Sequence, residues 1–140
     1  MAATVQQVAL EVVFSAEREV SAFLEQVEGE LLGFGYSDRE RGHVRHALQE
    51  ALINALKHGN GLDPKKKVRF LRRITPEDMQ FQIIDEGPGF NPDDVPDPTL
   101  VENLERPCGR GLFMMRCFMD EVTFMGTGNI LIMKKRRSAG

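Results

Sequence analysis

Three polar side chains recur at four-residue steps in the stretch EALINALKHGN: Glu50, Asn54 and His58. In a helix these steps keep side chains on one ridge. Each residue alone is more simply explained as a solvated helix edge, and His58 as a favourable charge near the helix C-terminus. Glu50 and Asn54 together, however, suit Mg²⁺-assisted phosphoryl transfer, because Mg²⁺ takes one or two protein oxygens when phosphates supply the others. Asn54 would supply that oxygen, and Glu50 would orient or deprotonate the nucleophile.

A second stretch, IIDEGPGF at residues 83–90, runs from two apolar residues directly into a carboxylate. Gly87 and Gly89 follow Asp85, on either side of Pro88. A turn alone could explain this pattern, because Gly and Pro commonly end strands. A function for Asp85 therefore depends on whether other stretches of the chain could form a site together with that carboxylate.

A third stretch, CGRGLF at residues 108–113, holds the glycine pair Gly109 and Gly111 at the start of a predicted helix. The free N–H groups and positive dipole end of a helix N-terminus favour phosphate. The glycines would let the backbone close on the anion, and Arg106 and Arg110 add mobile positive charge. A lone glycine pair is weak by itself, since flexible turns also produce it.

Two helices precede the strands that carry these stretches. A segment of strand composition ends at Phe14, and Ser15 followed by Glu17 and Glu19 is typical of a helix N-cap with an acidic first turn. This first helix is predicted to end at Leu32. Ser37 and Glu40 then form a capping-box pattern for a second helix, which is predicted to end at the Gly59-Asn60-Gly61 stop signal.

The later segments predict a sheet. KVRFLRRI and MQFQIIDE alternate and are separated by residues 75–78, which predicts a hairpin. Residues 87–110 contain five prolines and form a long loop, which is usually functional. A short helix is predicted to begin near Gly111-Leu112, and two strands joined by Gly-Thr-Gly end the chain. The expected fold class is α+β, a two-layer α/β sandwich with helices on one face of a mixed, mostly antiparallel sheet.

Composition narrows the class of protein. The chain has 140 residues, 41% hydrophobic and 28% charged, and is expected to form one domain. Its net charge of −3 argues against nucleic acid as the main partner. No signal peptide or membrane span is apparent, so a cytoplasmic protein is expected. Cys108 and Cys117 are too few for a disulfide framework or zinc site, and the basic run 134–137 is expected to be a solvated chain end.

Taken in order, the three stretches resemble the Bergerat-fold ATPases (GHKL superfamily) of type II topoisomerases, histidine kinases and ninety-kilodalton heat-shock chaperones. Glu50 and Asn54 match the N box, Asp85 with Gly87 and Gly89 the first glycine box, and GRGL the second. The resemblance divides the single domain, residues 1–140, into an N box at about 46–60, a first glycine box at 85–90, a lid at about 91–108 and a second glycine box at 109–112.

The resemblance implies ATP and Mg²⁺ as cofactors and assigns roles to the matched residues. Asp85 would accept a hydrogen bond from the adenine amino group, with Gly87 and Gly89 allowing close approach of the backbone. Asn54 would be the metal ligand and Glu50 the general base. The nucleotide site would also include His58, and its phosphate cradle would comprise Gly109, Arg110, Gly111 and Leu112.

Within the superfamily the chain looks most like the bacterial anti-sigma-factor serine/threonine kinases, through ALQEALINALKHGN and LERPCGRGLFMMRCFMDEVTF. That resemblance implies phosphorylation of an anti-anti-sigma (STAS-type) partner, sequestration of a sigma factor by partner switching, and a homodimer. Arg106 would be the catalytic lid arginine, but Pro107-Cys108 adds a residue before the glycine box, which makes Arg110 a rival. Gly128-Asn129 also stands where the family often has Gly-Thr, and Thr127 is a possible substitute.

Two alternatives remain open. The first is a histidine-kinase catalytic domain, although the segment before the N box leaves no room for a phosphoacceptor hairpin. His43 and His46 lie within the second predicted helix and are interpreted as structural. The second is an ATP-binding regulatory module without kinase activity, which the presence of Glu50 disfavours.

Overall fold

The computed structural model describes residues 10–88 and 107–137. Within these ranges the chain forms five strands: β1 Leu10–Phe14, β2 Val68–Ile74, β3 Asp78–Ile84, β4 Glu121–Met125 and β5 Ile130–Arg136. Three α-helices accompany them: α1 Arg18–Gly33, α2 Asp38–Asn54 and α3 Pro107–Phe118. A π-helical turn, Ala55–Gly59, continues α2 without a break.

The strands form one sheet in the order β1-β2-β3-β5-β4. Every pairing among these strands is antiparallel, so the parallel component of the expected mixed sheet does not occur in the described residues. Side chains on one sheet face are buried under the helices, including Val68, Phe70, Phe81, Ile83 and Met133. The α+β sandwich with helices on one face is therefore confirmed.

The N-terminal ends of α1 and α2 show why one N-cap prediction was confirmed and the other was wrong. At Ser37 the full capping box is present, with the hydroxyl accepting from the Glu40 N–H and the Glu40 carboxylate accepting from the Ser37 N–H. Ser15 is not a cap: α1 begins at Arg18 with Glu17 as N-cap. The Glu19 carboxylate accepts from the backbone N–H groups of Ser15 and Ala16 instead.

Helix α3 begins earlier than predicted. Its first residue is Pro107 rather than Gly111, and proline is favoured at the first helical position because its missing N–H has no intrahelical partner there. Gly109 and Gly111 therefore belong to the helix itself, as do residues 107–108, which were predicted to end the lid. The predicted lid residues 91–106 lie outside the described residues.

The basic run 134–137 is not a loose chain end. Residues 134–136 belong to β5, and the Arg137 guanidinium donates to the backbone carbonyls of Phe34, Gly35 and Pro76. The guanidinium also lies over the Tyr36 ring, 5.6 Å from its centroid. The end of the run thus ties the last strand to the C-terminal end of α1.

Within the described part of the chain, no helix combines the length and the apolar character needed to cross a membrane.

Candidate functional site

The three motif stretches meet at the C-terminal end of α2. Gly111, the fifth residue of α3, lies so close to Asn54 that a Cβ at position 111 would stand 2.8 Å from the Asn54 Nδ2 atom. A Cβ at Gly59 would stand 2.6 and 2.7 Å from the two carboxylate oxygens of Asp85. Residues of all three stretches, far apart in the chain, therefore lie close to the end of α2.

Glu50 and Asn54 lie on α2 where it packs against α3. Both side chains are half-buried at the border between core and solvent, while the neighbouring Ala51 and Leu52 are buried in the core. The ridge predicted from the four-residue step is therefore present for these two residues.

His58 does not continue that ridge as a regular helix would. The Asn60 N–H donates to the Ala55 carbonyl at 2.9 Å, the i to i−5 bond of a π-helical turn. The wider turn changes the direction of side chains after Asn54, and His58 is exposed. The predicted ridge assumed uninterrupted α-helical geometry, whereas His58 lies in a π-helical turn and is more exposed than Glu50 and Asn54.

Asp85 follows β3, and both its backbone N–H and its backbone carbonyl are hydrogen-bonded to Asn129. Its N–H donates to the Asn129 carbonyl at 3.0 Å, and the Asn129 Nδ2 donates to the Asp85 carbonyl at 3.2 Å. The Asp85 carboxylate accepts from the Gly87 N–H at 2.8 Å. Burial raises the pKa of this carboxyl, and the hydrogen bond from Gly87 partly opposes the rise.

Gly87 is a glycine because of close packing. A Cβ at this position would overlap the carbonyl oxygen of Gly59 and stand 2.8 Å from the Gly59 Cα. The turn after β3 and the π-helical turn after α2 are thus in backbone contact. Any side chain at position 87 would force them apart and move Asp85 with them.

Asn60 is a polar residue of the site that the sequence patterns did not single out. It is 3% exposed, and its Oδ1 accepts from the Glu86 N–H at 2.7 Å. The Glu86 carboxylate in turn accepts from the Lys67 N–H at 2.5 Å. In the sequence Asn60 was interpreted as part of a helix stop signal, because Gly-Asn-Gly is a common helix end.

The structure describes some of the remaining predicted site residues fully and others only in part. The Leu112 side chain is buried in the core. Gly109 and Arg110 lie in the first turn of α3, but the Arg110 side chain, like all of Gly89 and Arg106, is outside the described residues. The choice between Arg106 and Arg110 therefore stays a prediction.

The turn between β4 and β5 holds Thr127 and Asn129 in different surroundings. Its side chain is exposed, and the Thr127 hydroxyl lies 3.3 Å from the Asn129 Oδ1. Asn129, rather than Thr127, contacts the Asp85 segment. Position 129 thus reaches that segment in this chain through a carboxamide.

His43 and His46 pack on α3 rather than in the core. The His43 ring stacks on Phe118 at 4.4 Å, and the His46 ring meets Phe118 edge-on at 5.3 Å. Burial and the positive charges of Arg39 and Lys135 lower the pKa of His43. His43 is half-buried and His46 is exposed, so the aromatic contact supports a packing role for both.

Comparisons with known proteins find a matching family and several relatives. A family model described as histidine kinase-like ATPase domain matches residues 13–135. An anti-sigma F factor of Clostridium perfringens (strain SM101 / Type A) is 30% identical over 127 residues, which cover 86% of this chain and 85% of the relative. One from Clostridium novyi (strain NT) is 31% identical over 125 residues, 84% and 80%. A serine-protein kinase RsbW of Oceanobacillus iheyensis is 24% identical over 111 residues, 75% and 69%.

Proposed function

The chain belongs to the family of histidine kinase-like ATPase domains, and on this basis we propose that it is an ATP- and Mg²⁺-dependent anti-sigma-factor serine/threonine kinase. Its substrate would be an anti-anti-sigma protein of the STAS type, and it would sequester a sigma factor by partner switching. The names of relatives, anti-sigma F factor and serine-protein kinase, support both halves of the proposal.

One observation carries the proposal: Asn54 contacts Gly111 while Gly59, at the other end of the same π-helical turn, contacts Asp85. A nucleotide bound here would extend from the Asp85 carboxylate at one end to the first two turns of α3, around Gly111, at the other. The carboxylate suits a purine amino group, and the helix N-terminus suits phosphates. Binding across these two groups fixes the orientation of the nucleotide.

Asp85 would select adenine over guanine. A carboxylate accepts a hydrogen bond from the exocyclic amino group of adenine, whereas guanine presents a carbonyl oxygen at the same place. An unpaired buried acceptor facing that oxygen is unfavourable. Gly87 and Gly89 would keep the space beside the base free of side chains.

Asn54 would hold Mg²⁺ together with phosphate oxygens. The described side chains contain no group of three or more His, Cys, Asp or Glu that could hold a metal ion. A half-buried carboxamide can offer one oxygen to a cation that takes most of its ligands from phosphate and water. Bound there, Mg²⁺ would neutralise charge on the triphosphate.

Glu50 would be the general base, one turn before Asn54 on the same ridge. This spacing would put a carboxylate beside the terminal phosphate, where the hydroxyl of the substrate protein must arrive. His58, Gly109, Arg110, Gly111 and Leu112 would complete the nucleotide site, with Arg106 or Arg110 as the cation on the terminal phosphate. Transfer to the partner adds negative charge to its contact surface, which would release it from this protein.

The proposal includes a homodimer. One row of side chains crosses the sheet on the face opposite the helices: Val13, Arg69, Ile84, Ile130 and Met125. Its end residues Val13 and Met125 are about half exposed, at 47% and 50%, and a second copy would cover them. Sedimentation should show a dimer for the wild type and a monomer for Met125→Glu; a monomeric wild type would contradict this part.

The test of catalysis uses labelled ATP, Mg²⁺ and a candidate anti-anti-sigma protein. Wild-type protein should place the label on a Ser or Thr of the partner. Glu50→Ala should keep nucleotide affinity but lose about 10²-fold or more in transfer rate, whereas Gln49→Ala, at the exposed neighbouring position, should leave the rate unchanged.

Other outcomes would favour the alternatives. Label on a histidine of the protein itself would indicate a histidine kinase. Nucleotide binding without transfer to any candidate partner would indicate a regulatory module, and unchanged transfer by Glu50→Ala would remove Glu50 from its role.

A further inference from the structure

Asn60 joins two elements of the site that are distant in the sequence. It follows the π-helical turn that ends the α2 segment, and its side chain contacts the turn after β3. At 3% exposure its carboxamide is as buried as many core side chains. The Nδ2 atom of Asn60 has no hydrogen-bond partner among the described residues.

The Oδ1 of Asn60 acts on the peptide that follows Asp85. It accepts from the Glu86 N–H at 2.7 Å, while Asn129 holds the N–H and carbonyl of Asp85 from the other side. Two asparagines therefore fix consecutive peptide groups around one carboxylate. The direction of the Asp85 side chain follows from the orientation of those peptide groups.

A buried amide with an unused donor is unfavourable compared with an apolar side chain of similar size. An apolar residue at position 60 would offer no acceptor for the Glu86 N–H. The contribution of Asn60 is therefore concentrated in that one bond, whose strength depends steeply on distance and angle.

We propose that Asn60 is a positioning residue for purine recognition, which aims the Asp85 carboxylate through the Glu86 N–H and so sets the preference for adenine over guanine. This inference rests on the proposed ATP-binding function. The triphosphate would be bound at Asn54 and the start of α3, away from Asn60. Base selectivity and phosphate affinity are therefore separable.

The experiment measures the affinity of the full chain for ATP and GTP, each with Mg²⁺, by calorimetry. In Asn60→Ala the ratio of the GTP to the ATP dissociation constant should fall by about tenfold, the factor expected for one misplaced hydrogen bond. The loss should come from ATP affinity, with GTP affinity unchanged. Val27→Ala, in the core of α1 at 1% exposure, is the control for lost stability and should keep the wild-type ratio.

A wild-type ratio in Asn60→Ala would overturn the inference, and so would an equal change in Val27→Ala, because Asn60 would then act through stability alone. A wild type that binds ATP and GTP equally would instead refute the proposed function. Asn60→Ser, too short to reach the Glu86 N–H, should reproduce the loss.

A measurement on the wild-type protein tests the inference independently of whether the variants fold. Protection of the Glu86 amide against hydrogen exchange should rise when ATP binds, because the base then fixes the Asp85 segment, and should rise less with GTP. Equal protection by both nucleotides would also overturn the inference.

Discussion

Gly59 packs its backbone directly on the carboxylate of Asp85, with both carboxylate oxygens within 2.7 Å of the place where a Cβ would stand. The end of one helical segment is thereby packed against one side of the Asp85 carboxylate. This contact removes water from one side of the carboxylate. It gives a physical cause for the burial that raises the Asp85 pKa.

The first prediction concerns two glycines in the same helical segment. Gly59→Ala should lower ATP affinity by about tenfold or more, because the new methyl must displace the Asp85 carboxylate. Gly42→Ala is the matched control, since nothing lies within 4 Å of its Cβ position and alanine stabilises a helix interior by about 1 kcal/mol. Calorimetry and thermal melts should therefore separate the two. Unchanged ATP affinity in Gly59→Ala would show that the contact is dispensable.

The second prediction concerns Asp85 and pH. Because its folded-state pKa is raised above the ordinary value of 3.8, the folded state holds this proton to higher pH than the unfolded state. The resulting stability is fully present below pH 3.8 and is lost as pH rises through the raised pKa. Asp85→Asn should therefore raise Tm at neutral pH and flatten this pH dependence.

The same substitution should weaken ATP binding by about tenfold or more, since it removes a charged acceptor. Parallel Tm and affinity measurements across pH 3 to 8 check both effects. An Asp85→Asn protein with lower Tm and full ATP affinity would contradict the assignment of Asp85 to the purine.

The third prediction concerns the ion pair between α1 and β2. Arg72 is 7% exposed and binds Glu30 through two hydrogen bonds of 2.6 and 2.8 Å, with its guanidinium over the Phe23 ring. Glu30→Ala should destabilise the fold by about 3 kcal/mol, because it leaves a buried charge unpaired. Arg72→Met should cost much less, since it removes the charge and keeps the apolar stem. Urea denaturation measures both, and equal losses would refute the asymmetry.

The fourth prediction concerns backbone strain at Leu62, which has a φ of 58° and a side chain 53% exposed. The left-handed conformation costs a non-glycine residue about 1–2 kcal/mol, so Leu62→Gly should be neutral or stabilising by up to about 1 kcal/mol after its entropy cost. Leu32→Gly, at similar exposure in α1, should destabilise by up to about 1 kcal/mol. Thermal melts that shift in the same direction for both would contradict the strain argument.

Local signals in the sequence predicted the elements well. The Ser37 and Glu40 capping box, the hairpin of β2 and β3 and the glycine turn before β5 all depend on residues a few positions apart. The start of α3 was missed because two glycines were weighed above Pro107, the residue that begins the helix. Ser15 was mistaken for a cap because Ser followed by acidic residues is typical of one, whereas α1 begins three residues later and the Glu19 carboxylate accepts from the N–H groups of Ser15 and Ala16.

The site was predictable as a set of motifs but not as a set of contacts. Glu50, Asn54 and Asp85 follow from spacing and residue type. The roles of Gly59, Asn60 and Asn129 depend on tertiary contacts with the turn after β3, which no local pattern encodes. The π-helical turn has no sequence signal in this chain, because Ala55 and Leu56 are compatible with an ordinary α-helix.

The π-helical turn makes chain length between Asn54 and Asn60 as important as residue identity. Deleting one residue there would allow a regular helix, with every later residue rotated about the axis. Asn60 would then face a different direction, and Gly59 would no longer pack against Asp85, although every motif residue would still be present. A relative whose alignment has a gap in this interval should therefore lack these contacts of Gly59 and Asn60 with the turn after β3.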